Sequence, residues 1–243
     1  MDPVGTKGSR ELNILRKISG AALLGSLVVA SAVVPAAAAD DGLGETRDFW
    51  TKYGVSASVQ EDLAHKFLTT GSIDATEAYT EPVSVTSGTF DGVPASVATF
   101  ADGSISVTSA EGPTENASGT MSALSAAVTG CDAVSGNAAV MRYSGCKVVG
   151  DNGIYRIGFK VTYETYFGAA NAAIKGAGSA DASSGTGTIS DPERVLYRTQ
   201  STRTTKAAVK YHSDYKAWSN LHQTDVYLGF WLTYNGVRSV TTS

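Results

Sequence analysis

The stretch YSGCKVVGDNGIYRIGFKVTYETY, residues 143–166, decides the fold. Its second half alternates without a break. Tyr155, Ile157, Phe159, Val161 and Tyr163 fall on one parity, and Arg156, Gly158, Lys160, Thr162 and Glu164 on the other. Successive side chains of a strand point to opposite faces, so this pattern marks a strand with one buried side. Asn152-Gly153, just ahead, is a hairpin signal, because a two-residue type I′ loop needs positive φ at both central positions. Such a loop sets Asp151 opposite Ile154, Val148 opposite Ile157 and Cys146 opposite Phe159. Val148 and Cys146 then share the apolar face, and a slip by one residue would break that match.

Residues 1–39 are read as a targeting segment and left out of the fold. Arg16 and Lys17 precede an apolar run over 18–34, followed by Pro35 and four alanines to Ala39. A basic start, a short hydrophobic core and an A-x-A exit describe a secretory signal peptide, cleaved near Ala39. A retained membrane anchor is the rival reading, but the run is about the minimum length for a span and is diluted by Gly25, Ser26 and Ser31. No membrane span is expected after cleavage. The remaining 40–243 suffices for one folded unit with a real core.

Charge and cysteines then narrow the class. Setting aside Lys7, Arg10, Arg16, Lys17, Asp2 and Glu11 leaves 15 basic and 21 acidic residues. An acidic exported chain argues against nucleic-acid binding. The charge is uneven, with 13 acids against 3 bases over 40–130 and 3 acids against 7 bases over 193–243. The expectation is that the two ends complement each other in the fold. Cys131 and Cys146 are the two cysteines. In an exported chain they predict one structural disulfide, and their spacing matches no standard zinc pattern. Because bridged Cα atoms lie within ~7 Å, the two cannot sit on strands separated by a third. The favoured arrangement is one long strand over 138–149 with Cys131 on its neighbour.

Along the chain, 40–74 reads as a helical segment. Ser58 and Glu61 form a capping box, Val59, Leu63 and Phe67 recur every four residues, and Gly71 supplies a stop. Asp62 and Lys66 are spaced to pair across one turn. Phe49, Trp50 and Tyr53 belong to a short first helix ending at Gly54, and His65 reads as a solvated surface residue. From 75 to 243 the pattern is β, with segments at 83–86, 96–100, 104–109, 194–200, 204–211 and 224–234. Asp91-Gly92, Asp102-Gly103 and Asp191-Pro192 mark breaks between them. Asn116-Ala117-Ser118 fits a glycosylation acceptor. The Ala/Gly/Ser-rich stretch 168–190 is either a mobile loop or a small-residue strand crossing within the domain. The fold class is mainly β: an antiparallel β-sandwich with an N-terminal helical segment and one disulfide.

Phe49, Trp50, Tyr53, Gly54 and Val55 lead into the capped helix, and a segment with the Gly130-Cys131 and Gly145-Cys146 pairs comes before the later strands. In this order of features the sequence resembles uncharacterised secreted proteins of Gram-positive actinobacteria. The resemblance implies export and carries no activity.

No catalytic constellation assembles. No serine lies in a G-x-S-x-G elbow, and no Gly-rich phosphate loop precedes a helix. His212, Asp214, His222 and Asp225 would approach one another if a hairpin centred on Ala217 set His212 opposite His222. Parity opposes it: matching Val209 and Tyr211 to the Val226, Leu228, Phe230, Leu232 side places Val209 opposite Val226 and His212 opposite Gln223. The His212–His222 pair is therefore a weak metal candidate, and no cofactor is expected. Arg194, Arg198, Lys206 and Lys210 share parity and read as solvated sheet surface, or as a basic stripe toward anionic envelope polymers. Tyr227 and Trp231 face away from the core side of their strand. Burial beneath the N-terminal helix is the expected arrangement; exposure would make them a platform for sugar stacking. The first expectation for function is a non-enzymatic binding or surface-interaction domain, with a cell-envelope polymer or polysaccharide as partner. The alternative is a secreted carbohydrate-active hydrolase whose carboxylates are scattered in sequence.

Overall fold

A computed structural model describes residues 41–77, 79–90, 92–110, 112–113, 128–168 and 171–242. The signal-peptide reading of 1–39 and the Asn116 acceptor fall outside them. Helix α1 spans Gly44–Lys52 and α2 spans Ala57–Thr70, followed by a 3-10 turn at Asp74–Thr76. The α2 N-cap is Ser56, whose extended backbone lets its Oγ accept from the Val59 N–H at 3.5 Å. The helix thus starts earlier than the Ser58 capping box predicted. Lys66 also leaves Asp62 and binds Asp74 at 2.6 Å and Asp102 at 2.8 Å. Two half-buried carboxylates offer less solvent-screened partners than one exposed neighbour along the helix. Burial alone would raise the Asp102 carboxyl, but the Asp74 backbone N–H, Lys66 and Ser104 outweigh it and hold it below the usual range. Gly71 ends α2 at φ +79 as expected, and His65 is exposed. Among the described residues, no helix is long and apolar enough to cross a membrane.

The strands are β1 (Ser84–Phe90), β2 (Val93–Thr99), β3 (Ile105–Ala110), β4 (Gly112–Pro113), β5 (Val128–Thr129), β6 (Ala133–Gly136), β7 (Val140–Asp151), β8 (Tyr155–Tyr166), β9 (Asn171–Ser184), β10 (Gly187–Ile189), β11 (Glu193–Arg198), β12 (Ala207–Ala217), β13 (Gln223–Leu232) and β14 (Arg238–Thr242). They form an antiparallel sandwich. One seven-stranded sheet runs β1-β2-β3-β7-β8-β9, with β6 sharing the β3 edge of β7. The other, five-stranded, runs β10-β12-β13-β14, with β11 beside β10 along β12. The Ala/Gly/Ser-rich stretch is a strand of 14 residues, β9, paired with β8 from Tyr155–Ser184 to Tyr166–Asn171. The long edge of β8 needs backbone partners, and small side chains suffice to supply them.

The core is the meeting of the two apolar parities read from the sequence. Phe159 packs on Tyr211 with ring centroids 4.8 Å apart, Tyr163 on Phe230 at 5.5 Å and Tyr155 on Tyr215 at 5.0 Å. Burial pushes the Tyr163 hydroxyl up to about 12, which keeps it neutral. Gly150 allows the sheets to approach: a Cβ there would sit 2.5 Å from Thr242 Cγ2 and 3.2 Å from Leu228 Cδ1.

The β7–β8 hairpin keeps its parity and moves its register by two. Val148 pairs with Phe159, Gly150 with Ile157 and Asp151 with Arg156, against the predicted Val148–Ile157. The cause is Asn152. Instead of adopting positive φ, its side chain accepts from the Ile154 and Tyr155 N–H groups, each at 3.0 Å, so the turn closes one residue later. Ile154 becomes the buried tip of the hairpin. Farther along, a bulge between Tyr143 and Cys146 puts Gly145 at φ +64. Cys131 lies just ahead of β6, beside β7, and is bonded to Cys146 with Cα atoms 3.9 Å apart. Closing that loop contributes ~3 kcal/mol on the chain-entropy model.

The helices pack over one end of the sandwich. Thr46 Oγ1 donates to the Gly153 carbonyl at 2.7 Å, Phe49 lies against Gly153, and Val59 lies against Gly103. The expected charge complementarity is met mostly at short range instead. Asp41 and Glu61 pair with Arg47, and Asp74 and Asp102 with Lys66, while His222 reaches across to Glu77 at 3.7 Å. Asp41, Glu61, Asp74 and Asp102 thus find their cations within the N-terminal half of the chain.

Candidate functional site

Two places on the described surface have the makings of a site: the outer face of the β12–β13 hairpin and a pocket between the sheets. The hairpin comes first, since it carries the aromatic pair. Its register is Val209–Phe230, Lys210–Gly229, His212–Tyr227 and Asp214–Asp225. The sequence placed Val209 opposite Val226 and His212 opposite Gln223, so strand pairing has moved by four. An even shift preserves every inward and outward assignment. Val226, Leu228, Phe230 and Leu232 are buried, and Tyr227 and Trp231 point outward. The shift arises because the turn is Trp218–Leu221: the Ala217 N–H donates to His222 O at 3.1 Å, and Asn220 takes φ +54.

Tyr227 and Trp231 are both half-buried. Their partners come from their own sheet, and the N-terminal helices, expected to cover them, pack at the sandwich end instead. Lys210 Nζ lies 3.8 Å from the Tyr227 ring centroid, and the His212 ring lies 4.8 Å away on the same side chain. Trp231 Nε1 donates to Thr241 Oγ1 at 2.9 Å. A Cβ on Gly229 would come within 3.0 Å of that Nε1, so the glycine leaves room for the indole edge to reach Thr241.

The basic stripe is split. A bulge between Arg194 and Leu196 turns Arg194 to the Tyr211 side and leaves Arg198 with Ala208. Arg194 then lies over the Tyr197 ring at 4.4 Å and donates to Ala177 O at 3.4 Å, while Arg198 donates to Lys206 O at 3.2 Å. Lys210 alone of the four turns to the aromatic strip.

His212 and His222 are not brought together. His222 sits past the turn, against Gly71 and Glu77. His212 meets Asp225 at 3.0 Å and Asp214 at 3.5 Å.

The pocket, of about 390 Å³, opens where Glu77 and residues 79–82 pass the β7–β8 turn. Glu77, Glu81, Asp151, Asn152, Tyr155 and Phe100 are among its walls. Burial pushes the Asp151 carboxyl up, against the opposing pull of the Gly153 N–H, Arg156 and Lys52. Burial also raises the Tyr155 hydroxyl. Three carboxylates distant in sequence, Glu77, Glu81 and Asp151, thus line one pocket. Glu77 and Glu81 lie in a polar turn and Asp151 in a hairpin, and neither signal says the two segments meet.

No family model, curated protein or solved structure matches this chain. The chemistry of both places therefore has to be taken from their own residues. The outer strip offers ring faces beside a cation, suited to an extended ligand lying along β13. The pocket offers three carboxylates, one of which, Asp151, is pushed up by its burial.

Proposed function

We propose that the protein is exported and acts as a non-enzymatic binding domain, holding a cell-envelope polymer or polysaccharide along the outer face of β13. One observation carries this reading: Trp231 and Tyr227 stand on the outward face of β13, both half open to solvent, with the indole edge held over Gly229 by its bond to Thr241. Flat amphipathic rings bind the apolar faces of hydroxyl-rich rings while their edges keep hydrogen bonds, as Nε1 does with Thr241. Lys210 and His212 at the Tyr227 end favour a polymer with acidic groups. Export is supported by the Cys131–Cys146 bridge, since such bonds persist in oxidising compartments, and by the N-terminal pattern and the likeness to secreted actinobacterial proteins.

Co-sedimentation with insoluble polysaccharide and with purified cell wall tests the proposal. Trp231→Ala should weaken binding about fivefold or more, because stacking on an aromatic side chain, in the case of nucleic-acid bases, is worth ~1–3 kcal/mol. Its melting temperature should fall by no more than about 2–4 °C, the equivalent of ~1 kcal/mol in a chain of this size. Unchanged binding, or collapse of the fold, would remove the strip from consideration.

A second reading rests on the pocket. A carboxyl pushed up by burial, Asp151, lining one pocket with Glu77 and Glu81 is the kind of grouping a glycoside hydrolase uses for its acid and its base or nucleophile. In the same samples, release of soluble sugar that disappears in Asp151→Asn would favour the hydrolase. Asn retains the oxygen that accepts from Gly153 N–H, so that variant should remain folded.

A further inference from the structure

His212, Asp214 and Asp225 form a constellation that polymer binding does not use. Asp214 and Asp225 are direct partners across β12 and β13. Like charges set directly opposite destabilise a sheet unless something between them compensates. His212, two residues before Asp214 and therefore on the same face, puts Nε2 3.0 Å from Asp225 Oδ1 and 3.5 Å from Asp214 Oδ1. One donor atom from each of the three lies within 4.8 Å of the others.

We infer that this triad is a site for a first-row divalent cation of the zinc type. Donors around one such ion stand ~2.0–2.2 Å from it, which puts them at most about 4.4 Å apart. The observed spread is a little wider, and the two aspartates are the groups able to close it. Their side chains are 57% and 62% exposed, whereas His212 is 21% exposed and held against the Tyr227 ring. The fixed imidazole sets the site, and the mobile carboxylates fold onto the ion. An imidazole among the donors favours zinc, nickel or copper over calcium and magnesium, which prefer all-oxygen sets. Three protein donors on one side of a flat sheet leave the remaining positions to water or to an oxygen of a ligand.

A proton on His212 is the competitor for this place. An imidazolium bridging two carboxylates satisfies the same charge pair, so metal binding must displace that proton and weakens in acid. The other charged groups facing the triad are Glu193, opposite His212 on β11, and Lys210 and Lys216, on the same face of β12. Glu193 reinforces the attraction for a cation. Lys210 is turned onto Tyr227, and Lys216 lies beyond Asp214 toward the turn.

The inference stands apart from polymer binding, because its test reads the metal alone. Full-length untagged protein, freed of metal by chelation and dialysis, is titrated calorimetrically with zinc chloride. One saturable site per chain is expected. His212→Ala and Asp225→Asn should each weaken it about tenfold or more, by analogy with the loss that even outer supporting groups produce. Lowering the pH should also weaken binding, because metal and proton compete for the same donor atoms. His65→Ala, at an exposed position on α2, should bind as the parent does. The three substituted side chains are exposed or half-buried, and circular dichroism checks each variant. Asp225→Asn decides the matter should His212→Ala misfold. The inference is overturned if zinc gives no saturable one-to-one site, if both triad variants bind like the parent, or if His65→Ala removes the site.

Discussion

The two long hairpins were built from the same sequence logic and ended differently. In β7–β8 the turn is enclosed: Asn152 is 3% exposed and Ile154 is 1% exposed, and Thr46, Phe49 and the Ala75 carbonyl close over them. In β12–β13 the turn is open, with Trp218 and Leu221 60% and 61% exposed. Both hairpins kept the predicted faces and both changed register. Enclosure makes the first hairpin a structural axis with a pocket at its turn. Openness leaves the second with an outer face on which aromatic rings, a lysine and a histidine–aspartate cluster remain within reach of a ligand.

The contrast is sharpest in the core. Phe159→Ala, which removes the ring stacked on Tyr211 from a site 1% exposed, should cost ~3–5 kcal/mol in chemical denaturation. Trp231, on the outward face of β13, should show no loss of that size, and a similar cost there would mean that the two faces are equally buried.

The turns give a smaller, graded test. Asn152→Ala removes the acceptor of two backbone N–H groups and the donor to Ala75 O, leaving buried polar groups unpaired. A loss of ~1–3 kcal/mol is expected by thermal or urea unfolding. Leu221→Ser, in the open turn, should stay within about 0.5 kcal/mol of the parent. Equal effects would break the distinction between an enclosed and an open hairpin.

How far the sequence reached can be judged at particular residues. The parity of Tyr155 through Tyr163 and of Val226 through Leu232 predicted which side chains meet in the core, and those side chains do meet. The cysteine pair was legible because its loop length and the strand spacing left few arrangements. The α2 stop at Gly71 was legible because only a residue tolerant of positive φ suits that cap. The grouping of Glu77 and Asp151 at one pocket was not. Each lies in a polar turn whose local pattern is satisfied without the other.

By itself, then, the sequence determined the periodicity of its strongly alternating strands: which face of β8 and of β13 is apolar, and that Tyr227 and Trp231 point away from the core. These follow from the two-residue repeat of a strand, which is local and tolerates any even shift. Tertiary structure decided what periodicity leaves degenerate. It set the register, through Asn152 bonding to its own turn and through a Trp218–Leu221 loop. It placed the helices at the sandwich end, leaving the outer strip open, and brought Asp225 to His212 in place of His222. Shifts of two or four residues conserve the buried face and are equivalent in hydrophobic pattern. Only the hydrogen bonds and close packing of the whole chain separate them.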